Sequence, residues 1–164
     1  MTRTDPLPAP TGAAAPIANF SQCHVGIIGH LDALGELPAL LVPAQRARAL
    51  AADMLKFFDA VILEHHAEEE RELFPAVLQS AAAGAEHTHV QTMVERLTTE
   101  HRQIEAWWSR IKPQLKPIAK GHDTALDTVA VEQLVKEYHA HAAFEEAEFL
   151  PLAQDILGRN KNHM

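Results

Sequence analysis

Two stretches of this chain read almost alike: His65-His66-Ala67-Glu68-Glu69-Glu70-Arg71-Glu72-Leu73-Phe74-Pro75 and His141-Ala142-Ala143-Phe144-Glu145-Glu146-Ala147-Glu148-Phe149-Leu150-Pro151. In each, a Glu follows a His by four residues, and an apolar pair and a Pro come next. On a helix, positions i and i+4 lie almost above one another, about 6 Å apart along the axis. Each stretch can therefore aim one imidazole and one carboxylate at a single point. Such groups resist burial singly, so the chain is constrained to fold the two turns toward each other.

The surrounding apolar pattern supplies the helices. Gly is scarce and Ala and Leu abundant, a composition that favours helix. Residues 1–18, with Pro6, Pro8, Pro10 and Pro16, read as a flexible lead, residues 19–158 as the folded domain, and residues 159–164 as a tail. Helix 1 is expected from Phe20 to Leu37, with Cys23, Ile27, His30, Leu34 and Leu37 inward and Pro38 ending or kinking it. Helix 2 is expected to start after Pro43 and to carry Leu50, Met54, Phe58, Ile62, His65 and Glu69 on one face. Helix 3 spans roughly Glu86–Lys112, with Val90, Val94, Leu97, His101, Ile104, Trp108 and Ile111 inward. Helix 4 opens near Asp123 or Thr124 and runs to Leu157, its stripe being Val131, Leu134, Tyr138, His141, Glu145 and Phe149. Four amphipathic helices with short links predict an all-α, antiparallel up-down-up-down four-helix bundle.

The pattern also looks duplicated. Each half offers a lone His and then a His-Glu turn, the turns being 141 − 65 = 76 residues apart and the lone His 101 − 30 = 71 apart. Six groups thus fall on inward stripes: His30, His65, Glu69, His101, His141 and Glu145. Unpaired carboxylates cost many kcal/mol inside a bundle, and metal ions remove that cost by using the same groups as ligands. Four imidazoles and two bridging carboxylates suit two irons; manganese suits so much nitrogen less well, and zinc usually takes fewer ligands. A single inward His is more often a core residue, and a single i,i+4 His-Glu pair a surface contact. The repetition is what favours metal. His66 and Glu70 are also four apart, but on a regular helix they point about 100° from the stripe and read as surface groups. His24 lies off the helix 1 stripe, and Cys23 on it reads as an inert core thiol.

The formal net charge of −8 argues against a nucleic-acid partner. No run approaches the roughly 20 unbroken apolar residues of a membrane span. The N-terminus lacks a secretion-signal pattern, and the one Cys fits a reducing compartment. A cytoplasmic protein with no membrane partner is expected.

The two turns and the lone histidines resemble the hemerythrin-like family, in the branch of HHE cation-binding domains, over about residues 20–157. The resemblance implies a four-helix bundle holding a non-haem di-iron centre, two iron ions bridged by oxide or hydroxide and by the two Glu. It assigns His30 and His101 as the ligands of helices 1 and 3. Oxygen-carrying members place a fifth His four residues after the helix 3 ligand, where this chain has Glu105, and an Asp five residues after the last His, where this chain has Glu145 at four. A coordination position is thereby opened, or filled by Glu105 or water. The implied function is a site that binds or senses O2, peroxide or nitric oxide rather than a simple oxygen carrier. Enzymatic peroxide turnover, iron–sulfur repair, and a regulatory bundle with a structural metal are the other readings.

Overall fold

A computed structural model describes the backbone of residues 14–161 and the side chains of residues 25–159. Most of the expected N-terminal lead, the side chains of Cys23 and His24, and the last residues of the expected tail lie outside these described residues. The described chain is all-α, with no strand. It divides into two compact units, Met1–Ala44 and Gln45–Met164.

The first unit is a single rod, the leading part of α1 (Ala14–Phe57). The sequence predicts an end or a kink at Pro38 and a new helix after Pro43, yet α1 runs unbroken through both prolines. Each proline removes one hydrogen-bond donor and crowds the carbonyl four residues back. The Ala-, Leu- and Arg-rich neighbours keep helical dihedrals regardless. Val25, Ile27, Ile28, Leu31, Leu34 and Leu37 are exposed on this rod. A stretch within Val25–Ser80 has a mean hydropathy of 1.5, apolar enough by length and composition to cross a membrane, a property that core helices of soluble bundles share.

In the second unit α1 continues through a wide turn at Phe58–Ile62 into α2 (Leu63–Glu68), a second wide turn at Glu69–Leu73, and α3 (Phe74–Ser80). The return rods are α4 (Ala85–Ala119) and, in line with each other, α5 (Thr128–Phe144) and α6 (Leu150–Lys161), joined by a third wide turn at Glu145–Phe149. The unit thus contains three long helical rods. All three wide turns are π-helical, with bonds to the residue five back: Leu63 N–H to the Phe58 carbonyl, Phe74 N–H to Glu69, and Leu150 N–H to Glu145. Pro75 and Pro151 explain two of them. Neither can donate to the residue four back, and a widened turn moves the crowded carbonyl away from the ring.

The ends are set by local chemistry. α5 begins at Thr128 rather than at Asp123 or Thr124, because the Asp127 side chain accepts the Ala130 N–H at 2.9 Å. α4 runs seven residues beyond the expected Lys112, through Pro113 and Pro117, and closes where Gly121 takes φ +78°. There the Gly121 N–H reaches the Ile118 carbonyl and the His122 N–H reaches Pro117, the paired bonds of a left-handed helix cap. A side chain at Gly121 would also meet Arg48 at 3.0 Å.

Two apolar layers hold the second unit together. Phe74, Val77, Val90, Met93, Leu97, Phe149, Ala153 and Ile156 form one. Phe58, Ile104 and Trp108 form the other, with Ile62, Leu134 and Tyr138 against it. Phe58 stacks on Trp108 at 4.2 Å, and the Trp108 indole donates to Asp59 at 3.0 Å. Between the two layers, in the order of all three rods, lies a layer of buried polar residues.

Candidate metal centre

That layer contains His66, His101 and His141, which are 1 %, 0 % and 2 % exposed, with Glu69 and Glu145, which are buried but slightly more open. The imidazoles of His66 and His101 stack at 3.9 Å, and His141 meets His101 edge-on at 4.8 Å. Their ring nitrogens come within 4.8 Å of one another, and so do the ligand atoms of His65, Glu69 and Glu145. Glu69 belongs to both groups in effect: one oxygen lies 3.1 Å from His65 Nε2 and the other 3.1 Å from His101 Nε2. Glu145 Oε2 lies 3.6 Å from His141 Nε2.

Each buried imidazole is held from behind in the same manner. His66 Nδ1 pairs with Glu105 at 3.1 Å, His101 Nδ1 with Glu70 at 2.8 Å, and His141 Nδ1 with Glu100 at 2.9 Å. A carboxylate accepts, so each Nδ1 carries the proton and each Nε2 presents a lone pair to the centre. Those three Nε2 atoms and Glu69 Oε2 are buried without a hydrogen-bond partner among the described residues. His101 Nε2 lies 3.1 Å from Glu69 Oε2 without a hydrogen bond between them. Four orphaned polar atoms converging on one point are costly in a folded protein, and a cation ligated by them removes the cost. The donor set, nitrogen with shared carboxylate, is one that iron accepts. The residues therefore fit the metal that the resemblance implies.

Without metal the layer balances its charge by moving protons. Burial, and the neighbouring His101, depress the His66 pKa to about 4, and burial also lowers His141, so both stay neutral. Burial pushes His101 the same way, but the carboxylates of Glu69 and Glu70 outweigh it and raise the value. Burial and the facing Glu69 carboxyl push Glu145 up to about 8. Glu69 ends below its ordinary range, because contacts with His101 and Glu145 overcome its own desolvation. Metal uptake at neutral pH must then expel the proton of Glu145, and acid opposes it.

The six residues singled out from sequence fare differently. Glu69, His101, His141 and Glu145 come together in the buried layer. His65 borders it, half-exposed, through Glu69. His30 belongs to the first unit, where it is exposed and its Nδ1 donates to the Gly26 carbonyl at 2.8 Å. The expectation that His66 is a surface group is corrected. It is buried at the heart of the layer because the wide turn at Phe58–Ile62 delays the inward face by one residue. Glu105 and Glu70 were not expected as imidazole partners. Glu105, four residues past His101, faces His66 and Arg102 rather than the centre.

The family model described as the hemerythrin HHE cation-binding domain matches residues 15–153. The chain belongs to that family. It is also similar to a Haemophilus influenzae protein described as uncharacterized, at 26 % identity over 156 residues, covering 91 % of this chain and 87 % of that one. No solved structure matches it. As an HHE domain the chain is a cation-binding protein, and the His/Glu groups of the second unit are where its residues suit a metal.

Proposed function

We propose that the chain holds two iron ions in this layer and uses them to bind or sense O2, peroxide or nitric oxide. The observation that carries the reading is the convergence of three partnerless Nε2 atoms on a carboxylate pair able to serve two ions. In this reading His66, His101 and His141 would hold one iron and His65 the second, with Glu69 and Glu145 as carboxylate ligands available to both. Bound iron supplies a redox-active centre with affinity for small oxygen- and nitrogen-containing ligands. A cleft of about 460 Å³, lined by His65, Glu69, Tyr138, His141 and Glu145 among others, gives such a ligand room beside the His65 group. Half-exposed His65 leaves that position the more accessible of the two. The side chains there can also manage a proton, since Glu145 retains one at neutral pH when no metal is bound. No nucleic-acid partner is proposed for so acidic a chain, and the expected cytoplasmic location stands with this proposal.

Anaerobic reconstitution with ferrous iron should load two irons per chain. Exposure to air should then produce the near-ultraviolet and visible absorption of a coupled ferric pair. A product that stays colourless and iron-free sinks the proposal. Peroxide consumption rising in proportion to iron content would add turnover to binding.

A further inference from the structure

One cation stands behind two of the three imidazoles. Arg102 reaches Glu70 through Nη2 and Glu105 through Nη1, the latter at 2.5 Å. Each of those carboxylates uses its other oxygen for a buried imidazole: Glu70 for His101 and Glu105 for His66. The third imidazole has a separate support, since His141 is held by Glu100 and Glu100 by Arg96 at 2.8 Å. Arg96 is itself seated over the Phe144 ring at 3.6 Å. His65 has no such carboxylate behind it among the described residues.

We propose that Arg102 is a positioning residue for the metal position formed by His66, His101 and His141, fixing the aim of two of its ligands at once. The planar guanidinium offers two parallel donors and so spans two carboxylates, which a lysine ammonium cannot do with the same geometry. Each carboxylate, once held, can accept only along one direction, and that direction sets the ring that donates to it. Partners of this kind decide ligand orientation, and their loss typically weakens metal binding about 10–100-fold. Arg102 is half-exposed, so its worth lies in geometry more than in stability. The two metal positions therefore differ: the imidazoles of one are braced by two arginines and three carboxylates, whereas His65, the imidazole of the other, has no such brace among the described residues.

The inference rests on the proposed metal reading, and two measurements keep the failures apart. In the metal-free protein, proton NMR should show slowly exchanging Nδ1–H signals for His66, His101 and His141. Arg102→Gln should broaden or lose those of His66 and His101 and spare that of His141. Arg96→Gln should do the reverse. In iron-loaded protein, transfer of the more tightly held iron to a ferrous chelator should be about 10–100 times faster in Arg102→Gln. Arg102→Lys should fall between the variant and the wild type, and the faster-leaving iron should be unaffected in both. Unchanged signals and unchanged transfer overturn the proposal, as does equal loss of all three signals, which indicates a general loosening. A wild-type chain that takes up no iron overturns the functional reading and the metal half of this one, whereas the NMR result still judges the clamp.

Discussion

Replacing Glu145 by Gln should strengthen the metal-free protein while weakening its hold on metal. Glu145 is only 7 % exposed, and burial with the facing Glu69 carboxyl raises its pKa from 4.5 to about 8. The sign of the effect follows from which state gives up its proton first. At pH values below 4.5 folded and unfolded chains both keep it, and the group has no effect on stability. As pH rises from 4.5 toward 8 the unfolded chain releases its proton and the folded one does not, so stability falls by about 1.4 kcal/mol per pH unit. At pH 7 the accumulated loss is roughly 3 kcal/mol, and it levels off above the folded value. The depressed pKa of Glu69 works in the opposite direction and offsets part of this. Gln at 145 keeps an N–H donor for Glu69 and never ionises. Urea unfolding with a chelator present should therefore find the advantage of Glu145→Gln over the wild type growing from pH 5 to pH 7.5, since the pH dependence of the buried histidines is common to both proteins. Ferrous iron at a hundred times its dissociation constant should then add about 2.7 kcal/mol to the wild type and far less to the variant. Parallel pH profiles for the two metal-free proteins would refute the reasoning, because a shared buried proton could not then exist between Glu69 and Glu145.

The other expectations follow from the same geometry. His66→Ala should release the tightly held metal, whereas His65→Ala should lower iron content by no more than one per chain; metal analysis of both proteins decides it, and a larger effect at His65 would contradict the burial of His66. Phe149→Ala empties a fully buried site packed edge-on against Phe74 at 5.2 Å, and should lower unfolding free energy by about 3–5 kcal/mol in chemical denaturation. Asp127→Ala removes the cap of α5 and should cost about 1 kcal/mol with iron content unchanged, since the cap lies far along the helix from His141.

The turns at 65–75 and 141–151 were legible because the same His-Glu spacing recurs on two apolar stripes, and the repetition rather than either pair alone marks them as a shared site. His101 and the α4 stripe around it were legible because α4 is a regular helix up to that point, and a 3.6-residue period locates its inward face correctly. Where the period changes, the reading slips. Phe58, His66 and Phe74 are all buried, spaced 66 − 58 = 8 and 74 − 66 = 8 residues apart, each pair across one π-helical turn. A regular helix repeats its inward face at seven, so extrapolation from Phe58 lands on His65. His141 and Phe149 repeat the spacing of eight across the third turn. Pro75 and Pro151 were visible as bends, but a bend does not say that one residue has been added to the turn. The separate helix expected to start after Pro43 is absent for a different reason, since a proline's cost is local and the helix around it can bear it.

The wide turns also bear on why the layer suits metal at all. A regular helix brings one residue per turn to a given line, so a rod can offer one imidazole and, a turn later, one carboxylate, but not a second imidazole beside the first. Adding a residue at Phe58–Ile62 rotates the rod so that His65 and His66 straddle the inward direction, one toward the carboxylate pair and the other toward His101. Adding another at Glu69 and at Glu145 starts each widened turn at the carboxylate itself. Such insertions cost stability, as the buried unpaired nitrogens do, and they recur at sites that use the distortion. Shortening Glu69–Leu73 by one residue should therefore yield a more regular helix that binds metal less well. Circular dichroism and iron stoichiometry on that deletion would separate a turn kept for ligand placement from one imposed by Pro75 alone, because in the second case iron binding would survive.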